Sequence, residues 1–351
     1  MGVVGLIVAF IAPKIPGIFS RQRDLWTDKL PHWYVRIFFG GVKQFAKFWH
    51  RYEIHGFENL RKSNCLLVGY HSRCTLDGVY ATAFVEPTTI ISPIFFAVPF
   101  SNIMFETLHC VSSHSKGMST SASFVNTVTK GDRPTLLFPG GHYECYKPVS
   151  NKYKVMWKEL PGYARILLEE PTRPGQDTVV VPFYTHDGEG IYATSDWWYD
   201  YSGKEVLKNF REFENGNMWL LPLLMPKTLA ALGMILLPRP VKLDLHFGSP
   251  LTPRRDEDAV QFAKRVKEAT QSLIDDVREK AAINGDQDNR TILSMLLRYP
   301  VYTTYALLQN TFMWSTFLFL NMGVVPVVMI AAYMYNRIFS IKSKRVHEKV
   351  K

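Results

Sequence analysis

Leu66-Leu67-Val68-Gly69-Tyr70-His71-Ser72-Arg73-Cys74-Thr75-Leu76-Asp77 is the stretch on which the reading of this chain turns. Its first half is a short apolar run that follows the turn-forming pair Ser63-Asn64. Strands of this kind are buried on both faces, as in parallel sheets covered by helices, whereas a strand with one wet face alternates. The run therefore predicts an interior strand that delivers His71 where the chain leaves the sheet. Asp77 follows six positions later. A continuous helix over that interval would turn the carboxylate away from the imidazole, so the two meet only if the residues between them fold back as a loop. So placed, Asp77 holds one tautomer and stabilises the charged ring, which suits His71 to take a proton from a hydroxyl. A hydrogen-bonded structural histidine is the alternative reading of the same pair.

Further strands lie on either side. Tyr52-Glu53-Ile54-His55-Gly56 alternates, residues 90–98 are apolar, and Thr135-Leu136-Leu137-Phe138 runs directly into Pro139-Gly140-Gly141. Val179-Val180-Val181-Pro182-Phe183 is another buried run, and residues 241–247 alternate as an edge or wetter strand does. Residues 77–84 predict a helix behind the His/Asp loop. A closing helix is predicted over 253–282, with Val260, Ala263, Val266, Ala269, Leu273 and Val277 at helical spacing and Asp256, Glu257 and Asp258 at its positive end. Strands alternating with helical segments give an α/β sandwich, its largely parallel central sheet flanked by helices. Ligands of such sheets gather beyond the carboxyl ends of the strands, where His71, the Pro139-Gly140-Gly141 turn and Phe183-Tyr184-Thr185-His186 all fall.

The 351 residues are 47% hydrophobic and 14% aromatic, which excludes a disordered chain, and the net charge of +10 favours an anionic partner surface. No Lys/Arg cluster interleaved with aromatics marks a nucleic-acid module, so the lipid bilayer is the expected partner and nucleic acid is not. Cys65, Cys74, Cys110 and Cys145 are scattered without Cys-x-x-Cys spacing, and the histidines show no paired spacing, so neither a disulfide framework nor a metal centre is expected. Residues 2–19 are apolar but broken by Pro13, Lys14 and Pro16, which predicts a short kinked anchor. Aromatic and basic residues then mix through residue 49, suiting an interfacial helix or one packed on the domain. The expected organisation is an N-terminal anchor and interfacial helix over 1–48, a catalytic domain over 49–300, and a C-terminal unit over 301–351. The apolar stretch 218–237 reads as a membrane-dipping flap or, alternatively, a core segment. Residues 312–335 are long and uncharged enough to span a bilayer, and a basic tail follows them.

Taken together, these landmarks resemble the PlsC-like glycerolipid acyltransferase family. The His71/Asp77 pair after one strand, Pro139-Gly140-Gly141 after a second, Val181-Pro182 in a third and Phe247-Gly248-Ser249-Pro250-Leu251 before a helix carry the resemblance. The six-step His71 to Asp77 spacing, Pro139-Gly140-Gly141-x-x-Glu144, Trp157 and Gly162-Tyr163-Ala164 look closest to its transmembrane protein 68 branch, with features of the diacylglycerol acyltransferase 2 group. The resemblance implies transfer of a fatty acyl group to a lipid hydroxyl, with His71 as base, Asp77 as its partner, and coenzyme A thioester as co-substrate rather than any bound cofactor. It implies that Pro139, Gly140, Gly141 and Glu144 meet the substrate, while His142 either lines the cleft with them or is a structural histidine. Backbone N–H groups of the Gly140-Gly141 turn would face the oxyanion or headgroup, and Glu144 would orient a glyceride hydroxyl or cap the next turn.

Phosphatidate-making members have a glutamate and an arginine in this turn that help hold glycerol phosphate. Here Gly140 and Tyr143 stand in those places, and losing the guanidinium removes the bidentate partner of a phosphate. A neutral acceptor, monoacylglycerol or diacylglycerol on the way to triacylglycerol, is therefore expected, at the endoplasmic reticulum membrane with the catalytic domain facing the cytosol. A lysophospholipid acyltransferase, a transacylase and a non-catalytic lipid-binding protein remain alternatives. No Gly-x-Ser-x-Gly elbow supports a hydrolase.

Overall fold

The computed structural model describes residues 33–73, 76–92, 109–112, 127–128, 131–157, 162–169, 178–191, 196–214, 241–254 and 256–283, with Leu25 and Pro238. The described chain begins with α1 (Trp33–His50), β1 (Glu53–His55), β2 (Cys65–Gly69), α2 (Leu76–Val85), β3 (Thr88–Ile91) and β4 (Cys110–Ser112). It continues with β5 (Thr135–Leu137), α3 (Gly141–Cys145), α4 (Gly162–Glu169), β6 (Val179–Thr185), α5 (Asp196–Glu214), β7 (Asp244–Phe247) and α6 (Ala259–Ile283).

The strands form one sheet of seven in the order β1-β7-β6-β2-β5-β3-β4. β2 lies in its middle, parallel to β6 on one side and β5 on the other, with Leu66 opposite Thr135 and Val180. All five of its residues are buried, as an uninterrupted apolar run requires. Among the described strands β6 and β7 pair antiparallel, and β1 runs parallel to β7 at the edge. The carboxyl ends of β6, β2 and β5 thus lie side by side.

Helices cover both faces. On one, α1 buries Val35, Phe39, Val42 and Ala46 at helical spacing beside α2, in a core shared with Leu67, Val181 and Phe183. Phe48, on its other side, is 84% exposed. Buried Lys43 answers the Glu86 carboxylate at 2.7 Å, which ties α1 to the end of α2. On the other face, Phe262, Ala263, Val266, Ile274 and Val277 of α6 pack with Tyr163 and Leu167 of α4 over Leu66, Val68, Tyr70 and Tyr184.

Several boundaries differ from the expectation. α6 starts at Ala259, not residue 253, because Asp258 caps it: its Oδ1 accepts from Gln261 N at 2.8 Å while Gln261 Oε1 accepts from Asp258 N at 3.0 Å. Leu251 is instead bridged to Val180. The buried stripe runs through Phe262 and Ile274, and Val260 is exposed. Among the described residues no helix is long and apolar enough to cross a membrane. The anchor expected over 2–19, the flap over 218–237 and the span over 312–335 lie outside the described residues.

Candidate active site

His71 stands just past the end of β2, and Asp77 lies in the first turn of α2. The connecting loop turns back, so that His71 Nδ1 and Asp77 Oδ2 are 3.1 Å apart. Asp77 is itself held. Its Oδ2 accepts from Ser72 N at 2.7 Å and from Ser72 Oγ at 2.9 Å, and its Oδ1 accepts from Gly78 N at 2.6 Å. A carboxylate held by these donors cannot rotate away from the ring. Burial alone pulls the His71 pKa down, but the Asp77 charge and hydrogen bond, with Cys145 beside them, more than offset it, leaving it well above the ordinary histidine value. The ring stacks on Phe138, centroids 4.2 Å apart, and 13% of its side chain stays exposed. Asp77 therefore takes the Nδ1 position, and Cys145 lies against the ring as a second partner.

Behind the imidazole lies a layer of buried charge. Glu144, fully buried in α3, accepts from His71 N at 2.9 Å, Met156 N at 3.0 Å and Trp157 Nε1 at 3.3 Å. Burial raises its carboxyl pKa, while Lys147 and the His71 and Met156 N–H groups act in the opposite sense. Lys147 Nζ donates to His71 O at 2.9 Å and Glu144 O at 2.8 Å, and pairs with Glu189 at 2.9 Å. Tyr70 donates to the same Glu189 carboxylate and accepts from Tyr153 N at 2.8 Å. Arg73, buried, lies 3.4 Å from Glu189, reaches Asp196 at 3.3 Å and covers the Tyr199 ring.

The Pro139-Gly140-Gly141 turn takes a different part from the one the resemblance implies. Gly141 N donates to Phe138 O at 3.0 Å and is spent within the turn, so it does not face an oxyanion in this conformation. Gly141 has φ +49°, which glycine adopts without strain. A Cβ on Gly140 would lie 2.6 Å from Glu144 Oε2, so the missing side chain is what lets that carboxylate reach His71. Pro139 is half-buried beside Phe138. His142 stacks on Phe210 of α5 at 4.5 Å and against Tyr143 at 4.3 Å. Glu144 reaches no substrate surface: its carboxylate is committed to two backbone N–H groups and an indole.

The structure thus brings His71, Asp77, Gly140 and Glu144 together and leaves His142 against an aromatic cluster. Sequence reasoning passed over Phe138, Cys145, Lys147 and Glu189. The Cys145 thiol, 3% exposed, is a hydrogen-bond partner of the His71 ring, and burial raises its pKa although His71 pulls it down. Lys147 had one available signal: it sits three residues after Glu144, just past the end of α3. Phe138 had another, being the last apolar residue before the turn.

No protein-family model matches the chain, and no curated protein matches it. Among solved structures the chain is similar to the 1-acyl-sn-glycerophosphate (LPA) acyltransferase PlsC from Thermotoga maritima. The two are 15% identical over 79% of this chain and 95% of that one, with a TM-score of 0.44.

Proposed function

We propose that this chain is a bilayer-bound O-acyltransferase that moves a fatty acyl group from coenzyme A thioester to the hydroxyl of a neutral glyceride. The observation that carries this reading is the 3.1 Å His71–Asp77 contact at the carboxyl end of an interior parallel strand. His71 takes the proton of the acceptor hydroxyl as its oxygen attacks the thioester carbonyl, and Asp77 stabilises the imidazolium. The tetrahedral oxyanion collapses, the C–S bond breaks, and the imidazolium returns its proton to the leaving thiolate. No bound cofactor takes part. The transmembrane protein 68 branch, the endoplasmic reticulum membrane and the cytosolic orientation belong to the same proposal, resting on the sequence landmarks.

The neutral acceptor rests on the cations. Gly140 and Tyr143 supply no charge, and the two described cations nearest His71 are engaged internally. Lys147 is answered by Glu189, and Arg73 by Glu189, Asp196 and the Tyr199 face. Pulling either toward a phosphate would weaken the compensation of buried Glu189.

One observation favours a second route. The Cys145 thiol beside His71 offers a nucleophile, through which the acyl group would pass first as a thioester on the enzyme and then to the acceptor. Its burial and raised pKa disfavour the thiolate such a step requires.

The test uses membranes containing wild type or His71→Ala, with labelled oleoyl-coenzyme A offered beside monoacylglycerol, diacylglycerol, lysophosphatidate and lysophosphatidylcholine. Label in a neutral glyceride with wild type alone is the expected result. Label in a lysophospholipid overturns the acceptor, and equal transfer by His71→Ala overturns the base.

A further inference from the structure

We propose that the edge of the sheet formed by β1 and β7 carries a binding site for a divalent metal ion of the zinc class, ligated by His55, His246 and Asp244. Register places these residues. β1 and β7 pair in parallel with Glu53 opposite Asp244 and His55 opposite His246. Residues two apart on a strand share a face, so these four side chains form a two-by-two array on one face of the sheet.

The geometry is that of convergent ligands. One ligand atom from each of His55, His246 and Asp244 lies within 4.8 Å of those from the other two. The two imidazoles stack with centroids 4.6 Å apart and planes 17° from parallel. His55 Nε2 lies 3.8 Å from Asp244 Oδ1 and 3.9 Å from Glu53 Oε2, placing Glu53 as the fourth ligand. Tetrahedral zinc, about 2.0–2.1 Å from each nitrogen and oxygen, wants ligand atoms roughly 3.4 Å apart. A contraction of up to about 1.4 Å is needed, and the His55 side chain, 48% exposed, has the freedom to supply it.

An independent observation points to a missing partner. Asp244 is 8% exposed and its Oδ1 accepts no hydrogen bond among the described residues, although it faces His55. A buried carboxylate oxygen left so is costly. His186, whose backbone N donates to Asp244 O at 2.8 Å, borders the array with both ring nitrogens buried and without hydrogen bonds. Two imidazoles with two carboxylates select a borderline ion of the zinc, cobalt or nickel kind over magnesium or calcium, which prefer oxygen alone. Lys242 Nζ, 3.3 Å from Glu53 and 3.4 Å from Asp244 Oδ2, is the cation already present, and a metal competes with it. Bound there, the ion would clamp the three-residue edge strand β1 to β7.

The experiment takes the full chain purified in detergent, stripped with a chelator and desalted, and titrates it with Zn2+ by calorimetry and with Co2+ by visible absorption. Wild type is expected to bind one equivalent and to give the intense bands of tetrahedral Co2+. His55→Ala, at a half-exposed position, should weaken binding by more than about tenfold, since even outer-shell losses cost that much. Lys242→Gln should tighten it by removing the competing charge. Absence of a stoichiometric site in wild type, or affinity unchanged in His55→Ala, overturns the proposal.

Discussion

Replacing Asp77 by asparagine tests the His71 reading most directly, because the substitution keeps shape and removes charge. Asp77 Oδ2 accepts from His71 Nδ1, Ser72 N and Ser72 Oγ, while Oδ1 accepts from Gly78 N at 2.6 Å. An asparagine has only one carbonyl oxygen. If that oxygen takes the Oδ2 place, its NH2 meets the Gly78 N–H; if it flips, the NH2 meets three partners that now donate to oxygen. Either way at least one buried N–H loses its acceptor, a cost of about 1–3 kcal/mol in stability. The larger effect is on the base, which loses its charged partner: a fall of about two to four orders of magnitude in acyl transfer is expected. The pH profile carries the sharper signature. Burial lowers the His71 pKa and Asp77 raises it well above the ordinary value, so wild-type activity should climb with pH through an acid limb above about 6.5. Without the carboxylate, burial wins, and the limb should move to lower pH as the maximum falls. Initial rates from labelled oleoyl-coenzyme A and diacylglycerol, taken from about pH 5 to pH 9, measure both. A variant within a few-fold of wild type, or a limb that stays in place, refutes the reasoning.

Gly140→Ala puts a Cβ 2.6 Å from Glu144 Oε2 and should cut transfer with little change in KM, as expected for a displaced base; an unchanged kcat counts against it. Lys147→Met removes one of the two cations that answer buried Glu189 and should lower stability in denaturant unfolding, by less than the roughly 3–5 kcal/mol of a wholly unpaired buried charge because Arg73 remains at 3.4 Å, a neutral outcome being the contrary result. Cys145→Ala should still transfer acyl groups, with no labelled enzyme trapped by acid quench, whereas complete loss would favour the thioester route. Two histidines shape stability against pH in opposite senses. His71, with its folded pKa raised, contributes most below about pH 6.5 and loses that contribution as pH rises through the folded value. His50, buried against Val241 O and held down at about 4, contributes above about pH 6.5 and loses roughly 3 kcal/mol as pH falls to about 4. Equilibrium unfolding of His50→Gln should lack that acid slope.

The central strand was legible because Leu66, Leu67 and Val68 can only be buried, and the largely parallel sheet followed from runs of the same kind at residues 135–137 and 179–185; the order of the strands was not legible. β4 was missed because Cys110–Ser112 is too short for any periodicity to show. α5 was missed because its buried residues Tyr199, Val206 and Phe210 are scattered among charges, and its tryptophans read as interfacial. The site divides in the same way. His71 and Asp77 were visible as a conditional pair, since chemistry names the residues but not the loop that joins them. Lys147 and Glu189 are ordinary surface residue types in a sequence; only the fold shows that each is buried because the other is.

The network behind His71 gives the Pro139-Gly140-Gly141-x-x-Glu144 pattern a physical sense of its own. The His71 backbone is gripped at both polar groups: its N–H by Glu144 at 2.9 Å and its C=O by Lys147 Nζ at 2.9 Å. Both grips come from the segment that begins α3, one strand over from β2, and Gly140 is the residue whose lack of a side chain lets Glu144 reach across. Asp77 then fixes the ring from the other side of the loop. An imidazole held at three points is preorganised for the role of base proposed for it, and errors of an ångström in such placement cost rate heavily. Buried charges as costly as Glu144, Lys147 and Glu189 would be poor stabilisers if stability were their role, since apolar side chains of equal volume serve as well. Their cost is intelligible as the means of holding one imidazole in place at the end of the central strand.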